Sequence, residues 1–261
     1  MVGMIGKSLS SAMNARTVGS GDQTLVLGHG YGGDQCMWDK IVPFLSLRYR
    51  VLVFDWSFSG AVKDPDLFDP VKYSSFEAFA DDLISLLEEN NLRDIVFVGH
   101  SMPELFKRLI LVGASPSFIN SEDYEGGFAK DEIEQLLACI ENNFHDWVSA
   151  FVPTVMGGND PFSIHYFDKS LKRMNPDTAL SVAKLIFLSD NREILEMVMT
   201  PCAIIQTTKD PIVPNSVADY MQKKIKGKST VEIIPIDGHF PQLTAHEQLL
   251  DVIGGVLGFD L

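Results

Sequence analysis

Apolar residues along the chain fall into two rhythms. Short continuous runs at Thr24–Leu27, Tyr49–Phe54, Asp94–Ser101, Lys107–Gly113, Cys202–Thr207 and Val231–Ile236 are bounded by turn-forming residues and predict buried strands. Over Phe76–Asn90 the apolar positions Phe79, Leu83, Leu86 and Leu87 take helical spacing, and a last helix is predicted over roughly Ala245–Leu257. Apolar strands alternating with helices imply an α/β fold with a mostly parallel sheet covered on both faces. Between residues 117 and 190 the strand rhythm disappears. Ile133, Leu136, Leu137 and Ile140 follow one helix face, and Ile164, Phe167 and Leu171 follow another. Trp147 and Phe151 stand one turn apart, and Asp177–Leu188 reads as a further helix after Pro176. The pattern predicts a core of 1–116 and 191–261, with 117–190 forming a cap of about four short helices. Such a cap would cover the sheet's C-terminal edge, where open α/β sheets bind ligands.

One junction breaks the rhythm. Gly99-His100-Ser101-Met102 begins the pattern G-x-S-x-G, which sets a serine on a strained strand-to-helix turn, but the last position is Pro103. The next strand run starts at Lys107, leaving only Met102–Phe106 between the two. Parallel strands ordinarily need a crossover of about a dozen residues, usually a helix. The crossover helix behind the serine is therefore predicted to be missing.

Three polar positions follow strand runs in an order that suits acyl transfer. Ser101, Asp210 and His239 stand in the sequence nucleophile, acid, histidine found in α/β-hydrolases. In such a site the histidine takes the serine proton, and the carboxylate fixes the imidazole tautomer. Gly28-His29-Gly30-Tyr31-Gly32 follows an early strand, so the amides of Tyr31 and Met102 are the candidate oxyanion donors. His246 competes with His239, but it falls inside the final helix pattern, where a solvated position is expected.

Composition narrows the partners. A net charge of −14 over 261 residues argues against nucleic acid and anionic membrane surfaces, which call for basic patches. Cys36, Cys139 and Cys202 lie in separate apolar segments without metal spacing, so buried, reduced thiols are expected, and no metal or other cofactor. The chain shows no signal-peptide pattern and no apolar run near the ~18 residues that span a bilayer, so a soluble intracellular protein is expected.

Longer matches point to one family. Gly28–Trp38 (G-H-G-Y-G-G-D-Q-C-M-W), Val98–Ser101, Pro103–Pro116 (P-E-L-F-K-R-L-I-L-V-G-A-S-P), Asp123–Phe128, Phe187–Arg192 and Asp237–Leu243 resemble the plant strigolactone-receptor and karrikin-receptor family of α/β-hydrolases. The likeness extends over essentially the whole chain. Phe54-Asp55-Trp56-Ser57-Phe58-Ser59-Gly60 departs from the Asp-Asn-rich form of the two best-known branches and looks more like the third, dwarf-fourteen-like-two branch. The resemblance implies slow hydrolysis of small butenolide-type esters by a protein that doubles as a receptor in the cytoplasm and nucleus. Ser101 would be the nucleophile, His239 the base and Asp210 its orienter. His100, Trp147, Phe151 and Phe187, with Tyr31, would line the pocket. It also implies an F-box leucine-rich-repeat protein and a chaperone-like repressor as partners.

Family members run from this serine into a helix of about a dozen residues, which would span about 18 Å. Five extended residues reach at most ~17 Å, and here they must also turn and return along a strand. Pro103 disfavours helical backbone at Met102 as well. The sequence therefore supports two readings: an impaired serine hydrolase-type receptor relative, or a non-catalytic ligand-binding signalling protein that keeps the pocket walls.

Overall fold

The computed structural model describes residues 8–99, 106–158 and 160–259. Its strands are β1 (Arg16–Val18), β2 (Thr24–Gly28), β3 (Arg50–Val53), β4 (Val96–Gly99), β5 (Arg108–Val112), β6 (Cys202–Lys209) and β7 (Ser229–Asp237). The helices are α1 (Leu9–Ala12), α2 (Val42–Leu45), α3 (Phe76–Glu89), α4 (Lys130–Met156), α5 (Pro161–Lys172), α6 (Pro176–Leu188), α7 (Asn215–Lys224), α8 (Pro241–Thr244) and α9 (His246–Leu257). The strands form one sheet in the order β1-β3-β2-β4-β5-β6-β7. Every neighbouring pair is parallel except β1 with β3.

Period-two alternation sorts the strand side chains into two layers. Leu25, Leu27, Val96, Val98, Ile110 and Val112 pack with Val42 and Leu45 of α2 and with Leu249 and Ile253 of α9. Val26, Phe97, Leu109, Leu111 and Ile204 face the other way, toward Leu83 and Leu86 of α3 and Met221 of α7. Both faces are thus apolar, which is why the strands read as unbroken hydrophobic runs.

The helices between β5 and β6 lie in the same apolar cluster as the second face. Ile133, Leu137, Ile140, Phe144, Val148 and Val152 form the buried stripe of α4. This helix is 27 residues long, where the sequence predicts short segments; a kink at Asn143 (φ −155°, ψ 74°) divides it in two. Asp34 ties α5 to the loop after β2, its carboxylate accepting from the Tyr166 hydroxyl (2.7 Å), the Ser170 hydroxyl (3.3 Å) and Arg173. Burial alone would raise the Asp34 pKa, but the Tyr166 hydroxyl, the Cys36 amide and the Arg173 charge hold it below the usual carboxylate value.

One sequence expectation needs correction. Cys36 and Cys139 are exposed and only Cys202 is buried, because the first sits on a surface turn and the second on the solvent side of α4. β4 and β5 pair directly as parallel neighbours, in the register Val96↔Arg108 to Gly99↔Leu111. The Lys107 amide donates to Ile95 O at 2.9 Å, and the Phe106 ring stacks on Phe97 at 4.9 Å. These contacts anchor the start of β5 beside the start of β4. His100, Ser101, Met102 and Pro103 lie outside the described residues. Among the described residues no helix is long and apolar enough to cross a membrane.

Candidate active site

The polar residues of the site sit just beyond the ends of strands. β6 is buried from Cys202 to Thr207, then the chain turns at Asp210. The turn is closed by the carboxylate itself: Oδ1 accepts from the amides of Ile212 (2.8 Å) and Val213 (3.1 Å), the usual aspartate device for holding a loop. Oδ2 meets Gln206 Nε2 at 3.0 Å and His239 Nδ1 at 2.6 Å. The Asp210 side chain is only 1% exposed. Burying a carboxylate is costly without donors, and here four are supplied.

His239 leaves β7 through Gly238, whose φ of +97° suits a residue without a side chain. The C-terminus of α4 approaches closely there: a Cβ on Gly238 would come within 2.4 Å of Met156 O, and one on Gly157 within 2.2 Å of Gly238 N. The His239 amide donates to Val155 O at 2.8 Å. The histidine loop is thereby fastened to the end of α4. Because the Asp210 carboxylate accepts, Nδ1 carries the hydrogen, and Nε2 is the basic nitrogen of the neutral ring.

Beside them runs the loop after β2. His29 is buried, with Nδ1 donating to Gly30 O (2.9 Å) and Nε2 accepting from the Trp56 amide (3.0 Å). The Trp56 indole donates in return to His29 O at 2.8 Å. Acceptance at Nε2 requires a neutral imidazole. Burial pushes its pKa below the usual value, against the opposing pull of Asp55 and Asp34 and the Gly30 carbonyl. An unfolded histidine titrates near about 6.5, so the stabilising contribution of His29 is complete above that pH. It is lost as pH falls from there through the lower folded value. The melting temperature is expected to drop on acidification below about 6.5, and less steeply in His29→Asn. Equal slopes in parallel thermal melts would assign the acid sensitivity to other groups.

His29 thus braces the segment that carries Tyr31. The Tyr31 hydroxyl donates to Ala179 O of α6 at 3.0 Å, and burial drives its phenol pKa far up. Among the described residues the Tyr31 amide has no backbone acceptor. Met102, its proposed partner in the oxyanion hole, lies outside the described residues, as do Ser101 and His100.

These elements enclose a cavity of about 120 Å³ lined by Tyr31, Phe151, Phe187 and His239, with Trp56 and Phe167 among the other walls. Trp147 is not among the lining residues; it stacks behind Phe151 at 4.7 Å. The two share a helix face, but the C-terminal end of α4 is the one joined to the histidine loop, so the residue one turn earlier stands back. Phe167 and Phe240, which sequence periodicity assigns to packing or leaves aside, are pocket walls in mutual contact at 4.4 Å. Phe187 is buried against Phe118 and Phe128. Phe187→Ala is expected to cost about 3–5 kcal/mol of stability while widening the cavity, as read from urea melts. A loss below about 1 kcal/mol would mean that the site collapses onto the gap. Among the described residues no three His, Cys, Asp or Glu side chains are grouped to hold a metal.

Comparison with known proteins agrees with this architecture. Residues 25–102 match the model of the alpha/beta hydrolase family. The karrikin insensitive 2 receptor IA of Petunia hybrida is 41% identical over 258 residues, covering 94% of each chain. The strigolactone esterase D14 of Arabidopsis thaliana is 40% identical over 254 residues, covering 93% of this chain and 95% of its own. Among solved structures, a hydrolase from Oleispira antarctica superposes with a TM-score of 0.91 at 29% identity over 97% of each chain.

Proposed function

We propose, from the premise that the chain belongs to the strigolactone- and karrikin-receptor family of α/β-hydrolases, that it acts on small butenolide-like esters through Ser101, His239 and Asp210. The observation that carries this reading is the 2.6 Å bond between His239 Nδ1 and Asp210 at the wall of an apolar cavity. In the proposed reaction the Ser101 hydroxyl attacks the ester carbonyl carbon and its proton passes to His239 Nε2. The oxyanion that forms is met by the amides of Tyr31 and Met102. Collapse breaks the ester C–O bond, and the leaving oxygen takes the proton from His239. Water, activated by the same nitrogen, then releases the acid from Ser101.

Residues 117–190 would act as the cap whose walls sense the ligand, with an F-box leucine-rich-repeat protein and a chaperone-like repressor as the partners that read its state in the cytoplasm and nucleus. The strigolactone-named and karrikin-named relatives match at nearly equal identity, 40% and 41%. That balance fits a branch separate from both.

The test is hydrolysis of an aryl acetate together with labelling by a fluorophosphonate probe. Both are expected in the parent and absent in Ser101→Ala. A second reading, ligand binding without turnover, draws on the short chain between β4 and β5. It predicts ligand-induced thermal shifts with neither labelling nor hydrolysis.

A further inference from the structure

Two neighbouring residues of β6 reach the two members of the His239–Asp210 pair. The buried Thr207 hydroxyl donates to Gly238 O at 2.6 Å, one residue before the histidine. The His239 amide is also bonded to Val155 O, so the histidine loop is anchored from two sides. The carboxylate is held differently. Its Oδ1 is fixed by the amides of Ile212 and Val213. Oδ2, the atom that faces the imidazole, has two donors among the described residues, His239 and Gln206. Without Gln206, the oxygen that orients the histidine would itself be held by that histidine.

Gln206 is fitted to this oxygen. It lies on an interior strand, opposite Ile233 of β7, and is 1% exposed. Its Nε2 donates to Asp210 Oδ2 at 3.0 Å and to Val213 O at 2.6 Å, which uses both amide hydrogens. Both partners can only accept, so the orientation of the amide is fixed: turned over, Oε1 would face two oxygens. The same orientation leaves Oε1 buried with no hydrogen-bond partner among the described residues. A buried acceptor without a donor lowers stability, and its persistence calls for a reason. Packing is not that reason, since Ile204, two positions earlier on the same face, fills its place with an apolar side chain.

We propose that Gln206 is a positioning residue of the hydrolytic site: it occupies one lone pair of Asp210 Oδ2 and leaves the other aimed at His239 Nδ1. The inference rests on the ester-hydrolase reading of this pair. A carboxylate offers about four lone-pair sites, and the Ile212 amide, the Val213 amide, Gln206 and His239 fill them, two at each oxygen. No other rotation of the carboxylate keeps all four bonds. The imidazole thus meets an acceptor whose direction is set by the sheet, Nδ1 keeps its hydrogen, and Nε2 stays available to the substrate side.

The test uses Gln206→Met and Gln206→Leu, which remove both amide hydrogens but differ in shape. Proton NMR follows the Nδ1–H of His239, a low-field resonance identified by its absence in His239→Gln. A hydrogen bond to a charged group biases a local equilibrium by about tenfold or more. Exchange of this proton with water is therefore expected to be about tenfold or more faster in both variants than in the parent. On an aryl acetate, kcat is expected to fall by about 10–100-fold with KM nearly constant, the size of effect seen when outer partners of functional side chains are removed. Added to Asp210→Asn, the same substitutions are expected to cost less than about threefold, because the group through which Gln206 acts is already gone. Near-UV circular dichroism identifies a variant that fails to fold, in which case the other decides. Equal exchange in the parent and a folded variant, absence of the resonance from the parent, or an undiminished loss in the Asp210→Asn background would overturn the proposal. Gln206 would then only close the loop through Val213 O. Failure of the hydrolase reading is registered separately, as absence of turnover in the parent, and the exchange comparison still decides the role of Gln206.

Discussion

Asn in place of Asp210 is expected to lower ester turnover by about 10⁴ with little change in the fold. The amide oxygen of Asn can still accept from the Ile212 and Val213 amides, so the loop after β6 keeps its closure. What changes is the atom facing His239. With the amide NH₂ turned toward Nδ1, that nitrogen must accept, which moves the ring hydrogen to Nε2 and removes the lone pair needed to take a proton from Ser101. The loss should fall on kcat, with KM nearly constant, because the carboxylate acts through the imidazole and does not touch the substrate. Steady-state kinetics on an aryl acetate, alongside matched thermal melts, makes the comparison. A variant within about tenfold of the parent would remove Asp210 from the orienting role. A drop in melting temperature equal to that of Asp210→Ala would reduce the residue to a turn former.

The parts of this architecture that the sequence displays are those fixed by burial. β2 to β7 are visible because most present apolar side chains to both layers, leaving no polar face to blur the run. β1 escapes because its residues Arg16, Thr17 and Val18 form an edge strand with two of the three exposed. α7 escapes because only Val217, Ala218 and Met221 of its residues are buried. At the site, Asp210 and His239 stand out by following apolar strand runs, and the structure brings them together. His29 does not announce its part, since the bracing contact comes from Trp56, 27 positions away in the chain. Trp147 shows the limit from the other side. Helical spacing reports which face a residue shares, but not how far along the helix the cavity extends. The order of the strands across the sheet is likewise absent from the local pattern.

Insertion of a helix of about a dozen residues between Met102 and Pro103 is expected to raise ester hydrolysis by at least ~10²-fold. The physical basis is the geometry on either side of the junction. β4 ends at Gly99, β5 starts at Arg108, and the two are parallel neighbours, so the intervening chain must travel back the length of a strand. In the present chain only residues 100–107 make that journey, and Pro103 disfavours the helical backbone that would aim the Met102 amide at an oxyanion. Loss of one oxyanion donor costs about 10²–10³ in rate, which sets the size of the expected gain. The inserted helix would also lie over Leu109 and Leu111. Each kcal/mol of packing recovered there should raise the melting temperature by about 2–4 °C in a domain of this size. Purified side by side, with active serine counted by the fluorophosphonate probe, the two proteins give a direct comparison. Equal labelling with equal turnover would mean that the present junction already supports a working elbow, whereas a rise in melting temperature without a rise in rate would confine the helix to packing.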